Sequence, residues 1–281
     1  MTPQPPSATE IAARRRTFRQ LHQSGCFVIP NPWDTGSARY LASLGFKALA
    51  STSSGLAWSM GHPDGGLPRA LVLEHLRLIV AATGLPVNAD FESGYASDAP
   101  GVAQSVRLAI DTGVAGLSIE DSTGEAADPI HALDAAVARL RAARGAIDEA
   151  GADVLLVGRA ENFLHCRPDL ADTITRLRAY AAAGADCLYA PGLRSAEQIR
   201  AVVAAVAPKP VNLLVGAPID LSQQDIAALG VRRISVGGAL ARSAWGGFMR
   251  AAASIAETGR FDAFAEAASG QALNSLFHDA G

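Results

Sequence analysis

The sequence has little of what several classes of protein require. Its three cysteines, Cys26, Cys166 and Cys187, share no C-x-x-C spacing, so neither a disulfide framework nor a thiolate metal site is indicated. No apolar stretch reaches the roughly 18 residues of a membrane span, and the N-terminus lacks a secretory pattern. We therefore expect a reduced, cytoplasmic protein that does not enter membranes.

The sequence also lacks a large excess of positive or negative charge. The chain has 24 Lys and Arg against 27 Asp and Glu, a formal net charge of −3. The short run Arg14-Arg15-Arg16 is typical of a solvated helix face. Because no larger basic patch is evident, we expect no nucleic-acid partner.

What the sequence has in abundance is alternation of strand and helix. After a leading helix at 7–24, apolar runs predict strands at 26–30, 47–51, 86–91, 115–119, 153–157, 186–190, 210–215 and 232–236. Each strand precedes a predicted helix: helices ending at 45 and 83, then helices at 99–112, 129–150, 169–183, 195–207, 222–229 and 238–257. Short, continuously apolar strands are typical of a sheet that is buried on both faces.

Eight β/α units in about 250 residues predict an α/β fold of the (β/α)8 TIM-barrel type. A doubly wound sheet is the runner-up, weakened because no G-x-G-x-x-G motif follows the first strand. We expect a catalytic barrel domain at 1–258, with its leading helix at 1–25, and a helical tail at 259–281. The tail places Phe261, Phe264, Leu273, Leu276 and Phe277 at helical spacing, so it would cover its own barrel or a neighbouring subunit.

Acidic side chains follow two consecutive strands. In Leu85–Tyr95, alternation would point Asn88, Asp90 and Glu92 to one face, and the next strand ends in Glu120-Asp121. Since strand ends meet at one mouth of a barrel, we expect a site for Mg²⁺ or Mn²⁺ there, with Asp90 and Glu120 as principal ligands. Asn88 and Glu92 would lie in the inner or outer coordination shell.

Other strand ends add groups that suit a small anion. Arg159 is the one arginine among these acids, and its planar fork suits a carboxylate or an enolate oxygen; a structural ion pair with Glu161 or Asp90 is the alternative. The backbone amides of Ser54-Gly55-Leu56 suit an anion-binding nest, or else form an ordinary turn. The remaining strand ends carry Trp33-Asp34, Glu161-Asn162, Pro191-Gly192, Asn212 and Gly237-Gly238.

Several of these segments together resemble the isocitrate lyase/phosphoenolpyruvate mutase superfamily. They are Trp33-Asp34-x-x-Ser37-Ala38-Arg39, Ser54-Gly55-Leu56, Asn88-Ala89-Asp90-Phe91-Glu92-x-Gly94-Tyr95, Ser118-Ile119-Glu120-Asp121, Gly158-Arg159, Ala190-Pro191-Gly192-Leu193 and 230–237. The resemblance spans about residues 26–255.

The resemblance implies a TIM barrel, Mg²⁺, and cleavage of a C–C or P–C bond in a 2-keto or 2-hydroxy acid through a metal-stabilised enolate. It also implies a homotetramer or homodimer that exchanges a helix after the barrel. Carried over by position, Asp64, Asp90 and Glu120 would serve the metal, with Asn88 where many members have Asp. Trp33, Ser54, Gly55, Leu56 and Asn212 would bind substrate, and Arg159 would hold the reacting oxygens.

One departure from the superfamily matters most. Members that cleave isocitrate carry a Lys-x-Cys-Gly-His loop after the Glu-Asp pair, whereas this chain has Ser122–Asp128 without Cys, Lys or His. We therefore expect the branch of oxaloacetate decarboxylases, hydrolases and substituted-malate lyases, acting on oxaloacetate or 2-oxoglutarate. A weakly active isocitrate or methylisocitrate lyase and a P–C bond enzyme are the alternatives. The loop at 122–129 would be a mobile lid.

The proton donor and the class of activity stay open. Tyr95, His62, Glu92 and His165 are candidate acids, and Tyr95 joins Arg159 and Glu120 as a catalytic candidate. A barrel that binds a keto acid without turnover is the competing class, favoured by the missing loop cysteine. A Schiff-base aldolase is set aside because the only lysines, Lys47 and Lys209, lie at strand starts, the wrong end of a barrel.

Overall fold

A computed structural model describes residues 4–278, and its centre is a sheet of eight parallel strands. The strands are β1 (Phe27–Ile29), β2 (Leu49–Ala50), β3 (Val87–Asp90), β4 (Gly116–Glu120), β5 (Leu155–Arg159), β6 (Cys187–Tyr189), β7 (Val211–Leu214) and β8 (Arg233–Ser235). Their order is β1-β8-β7-β6-β5-β4-β3-β2. Between β1 and β2, the Ala50 amide donates to the Pro30 carbonyl at 3.0 Å. The sheet is a nearly closed barrel, so the predicted (β/α)8 fold is confirmed.

Helices surround the barrel. They are α1 (Ala8–Leu21), α2 (Thr35–Ser43), α3 (Ser53–Ser59), α4 (Arg69–Ala82), α5 (Ala99–Ile110), α6 (Leu133–Glu149), α7 (Leu170–Ala182), α8 (Ala196–Val206), α9 (Gln223–Ala228), α10 (Ala239–Thr258) and α11 (Gly270–His278). A 3₁₀ helix covers Asp262–Glu266. No helix among residues 4–278 is long and apolar enough to cross a membrane.

The strands divide their side chains between two hydrophobic layers. In β5, Leu155 and Val157 belong to a cluster inside the barrel, whereas Leu156 belongs to the larger layer between sheet and helices. This is the period of two expected for a strand that is buried on both faces. The outer layer accounts for the continuously apolar strands in the sequence.

Helix α1 closes the lower end of the barrel. It begins at the predicted capping box, in which Ser7 accepts from the Glu10 amide and Glu10 accepts from the Ser7 amide. Phe18 is fully buried in the inner cluster, and a Cβ at Gly116 would lie 2.6 Å from Phe18 Cε1. The lower end is therefore sealed, and a ligand must enter at the opposite rim, where the strands end.

Two segments differ from the sequence-based expectation. Residues predicted as a turn at 54–56 lie in the short helix α3. Helix α6 begins at Leu133 rather than 129, because the preceding residues form a small hairpin. In that hairpin Ser122 pairs with Ile130, and the His131 amide donates to the Asp121 carbonyl at 2.8 Å.

The C-terminal helices lie beyond the barrel, as predicted. The Phe277 carbonyl accepts from Arg39 Nη2 at 3.0 Å, so α11 contacts α2 of its own chain. Large apolar side chains of α10 and the tail are nevertheless exposed, among them Phe248, Met249 and Phe261. Packing on a neighbouring subunit stays a prediction, as does the division at 258, whose outer limits 1 and 281 fall outside the described residues.

Candidate active site

A small cavity of about 180 Å³ opens at the C-terminal rim of the barrel. Six residues predicted from the sequence line it: Ser54, Asp64, Asn88, Asp90, Arg159 and Asn212. They come from loops and strands far apart in the chain, and the barrel brings them to one place. This is the end of the fold at which TIM-barrel enzymes carry out chemistry.

Arg159, the last residue of β5, is the centre of the site. Its Nη1 lies 3.1 Å from Asp90 Oδ1 and 3.2 Å from Glu120 Oε2, and its Nε donates to Glu161. Its guanidinium carbon lies 5.0 Å from the centre of the Tyr189 ring. Burial lowers the pKa of Arg159, but Glu161 and Glu120 more than offset this and raise it well above its ordinary value. The side chain is thus a fixed cation aimed at the acids.

Asp90 joins this cation to helix α3. Its Oδ2 accepts from the Ser53 amide at 3.0 Å and from Ser53 Oγ at 2.9 Å. The amide at the first residue of a helix has no partner within the helix, so a carboxylate there satisfies it. Asp90 is therefore held on both oxygens, one toward α3 and one toward Arg159.

The acids around the cavity repel one another. Burial, followed by the charge of Asp90, raises the pKa of Asp64. Burial also raises the pKa of Glu92 to about 7, with Asp90 and Asp64 adding to the rise. Burial raises the pKa of Glu120 well above its ordinary range. Four carboxyl groups, Asp64, Asp90, Glu92 and Glu120, thus share a region in which Arg159 is their common cation.

Such an excess of buried acid suits a divalent cation. Among residues 4–278, no three His, Cys, Asp or Glu side chains converge as a complete ligand set. Mg²⁺ retains several waters and needs only one or two protein carboxylates, so Asp64, Asp90 and Glu120 fit a hydrated ion.

Glu92 lies in this region, but the strand alternation predicted from the sequence does not place it there. Strand β3 ends at Asp90, and Glu92 has a φ of 45°, so the alternation that places Asn88 and Asp90 together does not extend to it. The Tyr95 hydroxyl donates to Glu92 Oε1 at 2.7 Å. Burial and the Glu92 charge raise the pKa of Tyr95, so its phenol stays protonated. Glu92 and Tyr95 form a pair beside the cavity without lining it.

A second arginine, Arg233, lies deeper in the barrel, at the first residue of β8. Arg233 also lines the cavity; its Nε donates to Asn212 Oδ1 at 2.8 Å, and its Nη1 lies 3.4 Å from Asn88 Oδ1. On its other side, Nη1 lies 3.4 Å from Nε2 of His22. Asn88 and Asn212 therefore hold Arg233, and the metal role predicted for Asn88 stays a prediction.

The predicted nest at Ser54-Gly55-Leu56 is largely used by the protein itself. The Gly55 amide donates to Thr52 Oγ1 at 3.3 Å and the Leu56 amide to the Thr52 carbonyl at 3.1 Å. A Cβ at Gly55 would lie 2.9 Å from Trp33 Cβ, so this glycine permits α3 to pack on Trp33 rather than a ligand to approach. Leu56 belongs to the hydrophobic core. Of the predicted substrate-binding residues here, only Ser54 faces the cavity, and Trp33 does not.

Comparison with known proteins identifies the family. A family model described as phosphoenolpyruvate phosphomutase matches residues 18–256. The chain belongs to the PEP mutase family. This confirms the resemblance to the isocitrate lyase/PEP mutase superfamily, whose members are lyases or mutases acting on C–C or P–C bonds and generally use a divalent metal.

Three proteins similar to this chain are informative. A solved structure from Burkholderia cenocepacia, described as a lyase/mutase, is 49% identical with a TM-score of 0.93, covering 96% of this chain and 98% of that one. An oxaloacetate decarboxylase of Bradyrhizobium diazoefficiens is 32% identical over 77% of this chain and 75% of its own. The structure of an oxaloacetate acetylhydrolase with its product oxalate is 26% identical, with a TM-score of 0.83, covering 96% and 94%.

The loop after β4 is the segment that the sequence predicts to be a lid. The loop was predicted to be mobile, but the adjacent Ile130 is buried and pairs with Ser122. The Thr123 amide donates to the Pro129 carbonyl at 3.0 Å, so the loop forms an ordered hairpin. Its role as a lid stays a prediction. Of the candidate acids, His165 lies 3.2 Å from Ser122 Oγ, but neither it nor His62 lines the cavity.

Sequence reasoning also missed residues that surround the cavity. Ser51, Ser118, Tyr189, Arg233 and Ser235 line it. The period of two in β6 and β8 could have found Tyr189, Arg233 and Ser235, since each lies at an inward-facing position of a predicted strand. Asp121, read only as part of an acidic strand end, is instead a buried structural group: it accepts from Tyr180 Oη at 2.5 Å and from the Glu161 amide at 2.8 Å.

Proposed function

We propose that the protein is a lyase that requires Mg²⁺ or Mn²⁺ and cleaves a C–C bond of a small 2-oxo dicarboxylate, with oxaloacetate as the reference substrate. The observation behind this proposal is the position of Arg159 between Asp90 and Glu120 at the barrel rim. A fixed cation beside an acidic cation site suits a reaction in which negative charge develops on an oxygen.

Asp64, Asp90 and Glu120 are proposed to hold the cation, directly or through water, with Glu92 in the outer shell. A bound divalent ion would polarise the 2-oxo group and neutralise developing charge on it. The Ser54 amide has no hydrogen-bond partner among residues 4–278, and Ser54 lines the cavity, so we propose that this amide binds a substrate carboxylate. Arg233, held by Asn88 and Asn212, adds positive charge at the floor.

In oxaloacetate the reacting bond joins carbon 3 to the carboxylate carbon 4. As this bond breaks, CO₂ leaves and its electron pair forms an enolate whose oxygen charge Arg159 stabilises from a fixed position. A proton must then reach carbon 3 to give pyruvate. Glu92 and Tyr95, hydrogen-bonded to each other beside the cavity, are the source that we propose for this proton.

Relatives support oxaloacetate as the reference substrate. The Bradyrhizobium relative is an oxaloacetate decarboxylase, and the oxaloacetate acetylhydrolase structure contains oxalate. Both names concern a 2-oxo dicarboxylate or its cleavage product. The match to a phosphomutase family model makes cleavage of a P–C bond the second candidate.

The test is an assay of purified protein with Mg²⁺ on oxaloacetate, 2-oxoglutarate, isocitrate and phosphonopyruvate, with product identification. Cleavage of a 2-oxo dicarboxylate that stops in excess EDTA and returns with Mg²⁺ is expected. Cleavage of phosphonopyruvate alone would replace the C–C assignment with the P–C one. Tight binding of a keto acid with no product would support a binding protein instead.

We further propose that the chain assembles with copies of itself through α10 and the tail. Trp245, Phe248, Met249, Phe261 and Phe264 are exposed on these elements. Exposed aromatic surface of this kind marks interfaces. Phe248→Glu is expected to shift the mass measured by light scattering toward the monomer, with Leu78→Glu, an exposed leucine on α4, as the control.

A further inference from the structure

Three arginines within residues 4–278 are buried, and two of them have their charge offset by the protein. Arg139, Arg176 and Arg233 are each at most 9% exposed. A guanidinium keeps its charge in proteins, and burying a charge without a partner is costly. Arg176 pairs with Asp121 and Asp172, and Arg139 donates to three backbone carbonyls of the loop after β3. Arg233 is the exception.

The partners of Arg233 are all neutral. Its Nε donates to Asn212 Oδ1 at 2.8 Å, and its Nη1 lies 3.4 Å from both Asn88 Oδ1 and His22 Nε2. Burial and the Arg233 charge lower the pKa of His22 to about 3, so the ring is neutral near pH 7. No Asp or Glu within residues 4–278 forms an ion pair with Arg233, because the acids of the rim contact Arg159 instead. The charge of Arg233 therefore has no counter-ion in the described part of the chain.

The remaining nitrogen of Arg233 is open to the cavity. Nη2 makes no hydrogen bond within residues 4–278, yet it is not among the unpaired side-chain atoms that are fully enclosed there. Since Arg233 lines the cavity of about 180 Å³, Nη2 is accessible from that side. Asn212 Nδ2 donates to Ser235 Oγ at 2.9 Å, which keeps Asn212 Oδ1 directed at Arg233. The guanidinium is thus held from one side with two N–H donors unused.

We infer that the floor of the cavity is a carboxylate subsite, in which Arg233 binds the carboxylate on carbon 1 of the 2-oxo acid, the one that remains in the product. This inference rests on the proposed function for the identity of the acid. A bound carboxylate accepts from Nη2 and supplies the negative charge that the protein leaves out. Hydrogen bonds between two charged groups are among the strongest that a buried site can form.

The chemistry of the proposed reaction decides which carboxylate Arg233 binds. The carboxylate on carbon 4 of oxaloacetate loses its charge as CO₂ leaves. A cation on that group would stabilise the substrate more than the transition state and would slow the reaction. The carboxylate on carbon 1 keeps its charge throughout, so a fixed cation there favours binding without opposing the bond cleavage.

The first test is the affinity for pyruvate, which has the carbon 1 carboxylate and lacks the leaving one. Arg233→Met removes hydrogen bonds to a charged group, so the Kd measured by calorimetry with Mg²⁺ should rise about 10- to 100-fold. Unchanged pyruvate affinity in Arg233→Met would overturn the inference.

Steady-state kinetics on oxaloacetate separates binding from chemistry. Because the charge on carbon 1 is the same in substrate and transition state, Arg233→Met should raise KM about 10- to 100-fold and leave kcat within about threefold. A lower kcat with an unchanged KM would show that Arg233 does not bind this carboxylate.

Thermal unfolding without ligand separates a binding residue from a structural one. Arg139→Met, the matched control, leaves three carbonyls without their donor, so it should lower the Tm and leave pyruvate affinity unchanged. Arg233→Met removes a buried charge that has no counter-ion, so its Tm should equal or exceed that of the native chain. Arg233→Gln, which keeps a donor for Asn212, is the second variant. Failure of both Arg233 variants to fold would make Arg233 structural and overturn the inference.

The same measurements separate this inference from the proposed function. If no acid is cleaved but pyruvate binds and Arg233→Met weakens its binding, the subsite is supported and the lyase assignment fails. If oxaloacetate is cleaved and Arg233→Met changes neither KM nor pyruvate affinity, the lyase assignment holds and Arg233 does not bind substrate.

Discussion

Glu120 and Arg159 lie directly opposite each other on neighbouring strands, and Glu120 Oε2 lies 3.2 Å from Arg159 Nη1. Their side chains are only 14% and 15% exposed. The register of β4 and β5 therefore fixes the distance between the main cation and one of the main acids of the site. Rigid strands, rather than a mobile loop, position the groups that would act on the substrate.

Replacing Arg159 with lysine should remove most activity. A point ammonium cannot contact Asp90, Glu120 and Glu161 together, and losing one fixed donor to a developing oxyanion lowers kcat about 100- to 1,000-fold. The measurement is kcat on oxaloacetate with Mg²⁺, alongside thermal unfolding. Arg107→Lys, at a surface ion pair with Glu149, is the control. Near-normal turnover in Arg159→Lys would reduce Arg159 to a structural residue.

Removing the acids should weaken cation binding. A ligand at a hundredfold its Kd stabilises the folded state by about 2.7 kcal/mol, so saturating Mg²⁺ should raise the Tm of the native chain. Asp90→Asn and Glu120→Gln should lose most of this rise. Glu149→Gln, an acid on the surface, should keep it. An equal Mg²⁺-dependent rise in all four proteins would place the cation elsewhere.

Stability should fall in acid through His22 beneath the barrel. Burial and the charge of Arg233 lower the pKa of His22 to about 3, from an ordinary 6.5. As pH falls, the His22 ring binds a proton in the unfolded chain before it does so in the folded chain. The contribution of His22 to the free energy of unfolding is therefore complete above pH 6.5 and decreases as pH falls toward 3. One such group changes the free energy of unfolding by up to about 1.4 kcal/mol per pH unit.

His22→Gln should flatten this slope in urea unfolding measured between pH 6.5 and 4, whereas His62→Gln, on the exposed surface, should not. His75, with a pKa lowered to about 4 by burial, contributes a second slope that remains in the variant. An unchanged pH dependence in His22→Gln would show that the ring is not held neutral.

Asp121 should matter for stability far more than its neighbour Asp172. The side chain of Asp121 is 1% exposed and pairs with Arg176, whereas that of Asp172 is 42% exposed and pairs with the same arginine. Asp121→Ala is expected to cost roughly 3–5 kcal/mol of unfolding free energy because it breaks a buried pair. Asp172→Ala should cost about 1 kcal/mol or less. Similar costs for both would contradict this ranking.

The hairpin after β4 should not supply a catalytic acid. Glu125→Ala, at an exposed position, should change kcat by roughly twofold or less. Isocitrate should be a poor substrate, because the hairpin lacks the cysteine of the isocitrate-cleaving members. Rapid isocitrate cleavage that Glu125→Ala abolishes would show that Glu125 has taken over that role.

The barrel could be predicted from the sequence because its signals are local and repeated. Each strand is recognisable from its own apolar run and each helix from the apolar spacing of its own residues. The acids of β3 and β4 lie directly at strand ends. The polar floor was harder to predict. Arg233 is held by His22, Asn88 and Asn212, and these contacts span most of the chain.

Two other features were not predicted because a contact with a neighbouring residue decides the local structure. The Ser54-Gly55-Leu56 segment has the composition of an anion-binding turn, but Thr52 caps it and α3 forms. The hairpin at 122–131 was not predicted because its polar residues have the composition of a mobile loop. Ile130, which pairs with Ser122 and holds the hairpin, comes just after these polar residues. In both cases a tertiary contact decides between two local structures that the sequence permits.

The most direct test of the account is proton exchange at the methyl group of pyruvate in D₂O, followed by proton NMR. An enzyme that protonates an enolate also removes that proton in reverse. We expect a loss of the methyl signal that requires Mg²⁺, stops in EDTA, and is at least about 100-fold slower in Arg159→Lys. No exchange in the native protein with Mg²⁺, although pyruvate binds, would contradict enolate chemistry and leave a barrel that binds keto acids without acting on them.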